Sequence, residues 1–228
     1  MVELSALCVP PSRAWNASDS PPISGTVALP ECARGDLTGS VVVKRSLAVV
    51  AVLLLCLVSC GGDPLDSCYE ERVGNLDCSH AEFNNVDLSG RDLPYIELRS
   101  ADLEYADLSG SNLEGANLVG ANLAHANLAH ANLEKADLGG TYIVKADLSG
   151  ANFTLANLTN VLWNESDLSG ADLRFAEFGR SLLVGANLRG TDLRYTDLST
   201  SDVGGAVADS STKWPDGFDP VAAGVIFE

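Results

Sequence analysis

Short motifs that announce common chemistries are missing from this chain. It has no HExxH pair, no CxxC pair, no glycine-rich phosphate loop and no Ser–His–Asp spacing, which leaves zinc hydrolysis, thiol exchange, nucleotide binding and serine-type acyl transfer without carriers. Histidine occurs three times, at His80, His125 and His130. His80 lies near Cys68 and Cys78, but a fourth ligand for a closed metal site is not evident. Basic residues are scarce, 14 against 31 acidic ones, for a formal charge of -17. That balance excludes the positive footprint by which proteins hold nucleic acid. The longest apolar run, residues 46–59, is about 14 residues, short of the ~20 that span a bilayer as a helix. Neither the helical period of 3.6 nor the alternation of a half-buried strand dominates any long segment. No cofactor is expected, and the chain reads as a non-enzyme.

What is present is a period of five. From Ala81-Glu82-Phe83 to Ser201-Asp202-Val203 a small–Asx–Leu triplet recurs in 25 consecutive copies. The third position is Leu in 19, the first is Ala, Ser or Thr in 21, and the second is Asp, Asn or Glu in 22. Fixed self-similarity of this length marks a solenoid, in which each unit buries its apolar side only against its neighbours. First and third positions sit two apart and point to the same side of an extended segment. The other three residues are polar or Gly and suit an outward face and a turn.

The run Ala121-Asn122-Leu123-Ala124-His125-Ala126-Asn127-Leu128 resembles the pentapeptide-repeat family, whose motif is A(D/N)LXX. The resemblance implies an all-β fold, a right-handed quadrilateral β-helix with four repeats per coil and the first and third positions inside. On that reading the repeats make about six coils, a rod on the order of 30 Å long at ~4.8 Å per coil. Two residues strain the pattern. Arg91 occupies a first position, where an unpaired buried guanidinium is costly. The coil around it, with Pro94 inside, is therefore expected to be irregular, or Arg91 to reach solvent. Trp163 is oversized and is expected to distort its coil or push a neighbour aside.

Upstream, residues 1–40 read as a leader or a misplaced start, with no periodic apolar pattern. Lys44-Arg45, the apolar run and Leu57-Val58-Ser59-Cys60 resemble a bacterial lipoprotein signal over residues 41–59, which would be cut before a lipid-bearing Cys60. Alternatives are a cytosolic tail ahead of a signal anchor and a chance apolar run; length, charge and Cys placement favour the lipoprotein. The only Met is Met1, and initiation at Val41, Val42 or Val43 would place the charged region first. All the net charge belongs to residues 60–228. Residues 60–77 read as a lipid-anchored tether and N-terminal cap, 78–205 as the β-helix and 206–228 as a C-terminal cap. Leu76-Asp77-Cys78 reads as a degenerate repeat ahead of the series. Once signal and lipid have claimed the other thiols, Cys68 and Cys78 remain as an even pair. An exported protein favours a disulfide between them over two buried thiols. At the far end, Trp214, Phe218, Ile226 and Phe227 are expected to cover the last coil.

With four repeats per coil, residues 20 apart stack in columns. One outward column reads Asp87, Asp107, Asn127, Asp147, Asp167, Asn187. It could bind cations, but side chains capping the local backbone explain it better. Another breaks the rule three times, at Tyr142, Leu162 and Leu182, with Val144 and Val184 beside it. A second strip, Leu155, Phe175 and Tyr195, has Arg174 and Arg194 alongside. Exposed apolar columns mark interfaces, for an unknown protein partner or a homodimer. The expected function is a lipid-anchored scaffold in the bacterial cell envelope, on the membrane through Cys60. The alternative, which the resemblance implies, is a cytosolic acidic rod that mimics DNA and binds DNA gyrase, as in quinolone resistance; an export signal opposes it.

Overall fold

The computed structural model describes residues 63–70 and 76–228. Residues 1–62 lie outside the described residues, and with them the leader, the signal segment and Cys60. Asp63 caps a single 3-10 turn, Pro64–Ser67, its carboxylate accepting from the Leu65 N–H at 3.0 Å. Strand β1 (Tyr69–Glu70) then pairs antiparallel with β2 (Leu76–Asp77). Cys68 is bonded to Cys78, with 4.6 Å between their Cα atoms.

From β2 onward the backbone is a four-sided coil. Asp77 pairs with Glu97, Glu82 with Asp102, Asp87 with Asp107 and Asp92 with Asn112, all in parallel, and the spacing of 20 persists to Asn187–Val207. Except at a break after Glu177, third-position N–H groups donate to the second-position carbonyl of the next coil, as Leu103 does to Asn122 at 2.8 Å. Each second-position N–H donates the other way, as Asp102 does to Ala81 at 2.9 Å. The backbone groups of each straight segment are thereby satisfied by the coils on either side, as burial requires.

Corners are four-residue turns closed by a bond from the next first position to the third, such as Ala106 N–H to Leu103 C=O at 3.0 Å. The fifth residue has positive φ, from Asn85 at 60° to Tyr195 at 67°. A positive φ at only the second of the two central residues is the pattern of a type II turn. Gly meets it without strain, whereas the non-glycine residues there are held by the ladder around them. Pro94 sits at the first central position, which proline favours, and its coil is regular.

Inside, every third position from Phe83 to Val203 is buried. A fully buried Leu contributes roughly 1.5–3 kcal/mol, so the tube is held by many equal contributions. Small first positions leave room for them. Two of the buried serines do more than fill space. The Ser166 hydroxyl accepts from Ala146 N–H at 3.2 Å and donates to Ile143 C=O, the two groups that a direct turn bond would join. Ser181 does the same between Val161 and Leu158.

Arg91 reaches outward, its side chain 41% exposed, and pairs with Asp63; the coil around it keeps its ladder. Trp163 is fully buried without a register shift, because Tyr142–Leu162 and Leu162–Leu182 keep the 20-residue spacing on either side. Phe153 takes up the extra volume, edge-on to the indole at 5.4 Å and 82°. The coil also runs further than residue 205. Asn187 pairs with Val207, but Asp192 pairs with Lys213, so one residue is inserted between them. Asp209 holds the insertion, its carboxylate accepting from the N–H groups of Gly190, Ser211 and Thr212. The cap differs from expectation too. Trp214 and Phe218 do pack on the core and stack at 5.4 Å. Strand β4 (Ile226–Phe227), however, lies parallel to β3 (Val207–Ala208), which leaves Ile226 and Phe227 half exposed and buries Val225 instead.

Candidate functional site

The outer faces are built from the second, fourth and fifth positions. A second-position oxygen accepts from the N–H two residues on, as Asp87 does from Ser89 at 3.0 Å and Asn127 from Ala129 at 3.1 Å. An asparagine amide also donates to the coil before it: Asn127 to Asp107 at 3.2 Å, Asn187 to Asp167 at 2.9 Å. The column from Asp87 to Asn187 is thus tied to its own backbone and amides. Among the described residues no cluster of His, Cys, Asp or Glu could hold a metal ion.

Tyr142, Leu162 and Leu182 do stack as one column, each paired with the next. Leu162 points outward, flanked by buried Val161 and Trp163. Tyr142 and Val184 are exposed, whereas Val144, Leu162 and Leu182 are half-buried. None of these three side chains caps the fourth-position N–H as the asparagines and most aspartates of the other repeats do.

Leu155, Phe175 and Tyr195 form a ridge at a different corner, 51%, 48% and 62% exposed. The Phe175 and Tyr195 rings stack at 4.7 Å and 8°. Beside them Arg174 chelates Asp172 through Nε and Nη2, and Arg194 chelates Asp192 in the same way at 2.9 and 2.7 Å. Lys213 reaches the Asp192 carboxylate as well, at 3.2 Å. These bonds hold both carboxyls below the usual carboxylate range, with the arginine hydrogen bond as the first cause in each.

One feature had no clear sequence signal. On the face past the ridge, the ladder through Glu97, Asn117, Asp137 and Asn157 ends at Glu177 and does not continue to Asp197. Arg180 N–H donates to the Thr200 hydroxyl there, at 3.2 Å. A notch of about 370 Å³ opens at this break, lined by Phe175, Glu177, Phe178, Gly179, Tyr195 and Asp197 among others. Only Phe178-Gly179, a bulky centre followed by a glycine, marks the position. The two neighbouring histidines have separate partners: His125 stacks on Tyr105 at 4.8 Å, and the His130 ring lies against Gly150.

Every resolved shift among the described residues lowers an acid or raises a base. Asp209 sits at about 2, lowered first by the Ser211 hydroxyl and then by backbone N–H groups. Lys135 is raised well above the usual lysine range by Glu134 and then Glu114. These are signatures of ion pairs and turn caps. A general acid or base needs a value moved toward neutrality.

A family model described as Pentapeptide repeats matches residues 81–120, 121–160 and 166–205. Solved structures resemble part of the chain as well. HetL, a pentapeptide repeat protein involved in heterocyst differentiation regulation in the cyanobacterium Nostoc, is 28% identical over 57% of this chain and 74% of its own, with a TM-score of 0.33. A pentapeptide repeat protein from the Arabidopsis thaliana thylakoid lumen is 33% identical over 47% and 68%, with a TM-score of 0.29. QnrB1, a plasmid-mediated fluoroquinolone resistance protein, is 16% identical over 67% and 88%, with a TM-score of 0.35. No curated protein matches the chain.

Proposed function

From the premise that this chain belongs to the pentapeptide-repeat family and folds as its right-handed quadrilateral β-helix, we propose that it is a non-enzymatic scaffold of the bacterial cell envelope. It is exported, cut before Cys60 and held at the membrane by lipid on that cysteine. Its rod presents flat faces to a protein partner.

The observation that carries the scaffold reading is the column Tyr142, Leu162, Leu182. A face built everywhere else on Asp, Asn and Glu surrenders its backbone caps there for apolar surface. Local folding gains nothing from that exchange, whereas a partner would cover it. The anchor rests on the order Lys44-Arg45, apolar run, Cys60. A Cys68–Cys78 disulfide suits an oxidising compartment.

The test is intact mass and N-terminal analysis of the protein from native membrane and soluble fractions. A chain that begins at lipid-modified Cys60 is the expected result. An unprocessed soluble chain would overturn the envelope assignment. Inhibition of gyrase supercoiling by that soluble chain would then establish the cytosolic DNA-mimic alternative.

A further inference from the structure

We infer that the ridge at Leu155, Phe175 and Tyr195 is where a second copy of this chain docks, antiparallel, with a two-fold axis passing at Leu155. The inference rests on the reading of the rod as a scaffold and names the occupant of one strip.

Charge along this corner changes sign about its centre. The fourth positions stack as Pro94, Glu114, Glu134, Thr154, Arg174 and Arg194, and the fifth positions as Tyr95, Gly115, Lys135, Leu155, Phe175 and Tyr195. Two glutamates lie one and two coils before the centre, and two arginines one and two coils after it. A two-fold axis at residues 154–155 exchanges equal distances either side of it. Glu134 then faces Arg174 of the second copy, and Glu114 faces Arg194. Leu155 meets its own counterpart at the axis, as an isologous interface requires. A parallel pairing would set acid on acid and base on base, so the sign pattern selects the antiparallel one.

The uncharged positions match under the same operation. Lys135 comes over Phe175 of the second copy, where an ammonium and an aromatic face attract. Tyr195 comes over Gly115. A Cβ on Gly115 would lie 2.5 Å from the Tyr95 ring, so that ring lies across the glycine and offers a flat plate to the incoming tyrosine. The charged groups have partners within the chain, and docking has to share or exchange them. Asp172 and Asp192 hold their arginines by the Nε and Nη2 edge, leaving each Nη1 directed elsewhere. Lys135 bridges Glu114 and Glu134 at 3.1 and 2.8 Å, but these pairs are exposed and exchange readily.

Sedimentation velocity on the purified full chain tests this, with circular dichroism to show that each variant is folded. The wild type is expected to dimerise at low salt and to dissociate as salt rises. Arg174→Glu with Arg194→Glu should weaken the dimer by about tenfold or more, since each contact occurs twice. Adding Glu114→Arg and Glu134→Arg to that variant should restore it, because every pair is then complementary again. A folded monomer at all concentrations overturns the inference, as does a dimer indifferent to the arginine reversal or one that the four-residue swap leaves broken. A monomer still processed at Cys60 would leave the envelope scaffold standing and remove only the ridge dimer.

Discussion

At Asn132 the side-chain oxygen accepts from Glu134 N–H at 3.3 Å and from Asn152 Nδ2 at 2.9 Å, while its own Nδ2 donates to Asn112 at 3.0 Å. An aspartate would fit the repeat motif equally well, yet it would set a carboxylate against the Asn112 oxygen. Asn132→Asp is expected to cost ~1–2 kcal/mol, the size of one lost hydrogen bond and a facing acceptor, read by urea denaturation. Trp163 tests the opposite limit, size. Its truncation to Ala should cost ~3–5 kcal/mol. Trp163→Phe should cost much less, because it also removes a buried indole N–H that has no partner. Asp209 makes a pH prediction. Its folded value of about 2 lies below the ordinary 3.8. Its contribution is therefore fully present above about pH 4 and is lost as pH falls toward 2. Protection of the Gly190, Ser211 and Thr212 amides relative to their intrinsic exchange rates should fall through that window in the wild type, and Asp209→Asn should flatten the dependence.

The N-terminal element is assembled from three weak pieces: a capped 3-10 turn, a two-residue strand pair, and the Arg91–Asp63 ion pair. The Cys68–Cys78 bond closes a short loop that contains the strand pair and begins directly after the 3-10 turn. Restricting so short a loop in the unfolded chain contributes ~3 kcal/mol on the chain-entropy account. Reduction is therefore expected to lower the thermal midpoint and to release residues 63–70 first, seen as proteolysis at that end only. Elements also show how far the sequence could be read. The straight segments were legible because a first and a third position facing one way leave a five-residue chain little freedom. Two departures were not. Ala206-Val207-Ala208 lacks both Asx and Leu, so the period reads as ending there, although Thr212-Lys213-Trp214 restores small, polar and apolar in order. The pairing of β3 with β4 fixes which of Val225, Ile226 and Phe227 faces inward, and no local pattern sets that parity. Among the interface columns, the register of Tyr142, Leu162 and Leu182 followed from the period. Their degree of exposure did not, since it depends on how each side chain lies along the face.

For the whole molecule, most of the net charge of -17 falls on the coiled stretch, and like charges such as Asp147 and Asp167 are neighbours in one column. Raising ionic strength from ~10 to ~150 mM should raise the thermal midpoint by relieving that repulsion, while the same salt dissolves the ridge contact; calorimetry and sedimentation across one salt series would separate the two. The amide bonds between coils have a further consequence, for how such a chain can change length. Those of the second positions run one way: an asparagine there reaches back to the oxygen of the coil before it. Duplicating a coil of asparagines lays amide on amide, as Asn112, Asn132 and Asn152 already do. Duplicating a coil of acids lays carboxylate on carboxylate and adds repulsion of the kind at Asp147 and Asp167, which Arg174 and Arg194 offset at Asp172 and Asp192. The stretch from Asn112 to Asn132 is thus where this gene could gain whole coils without a second mutation, and at the arginine-bearing end each added coil gains by arriving with its own counterion.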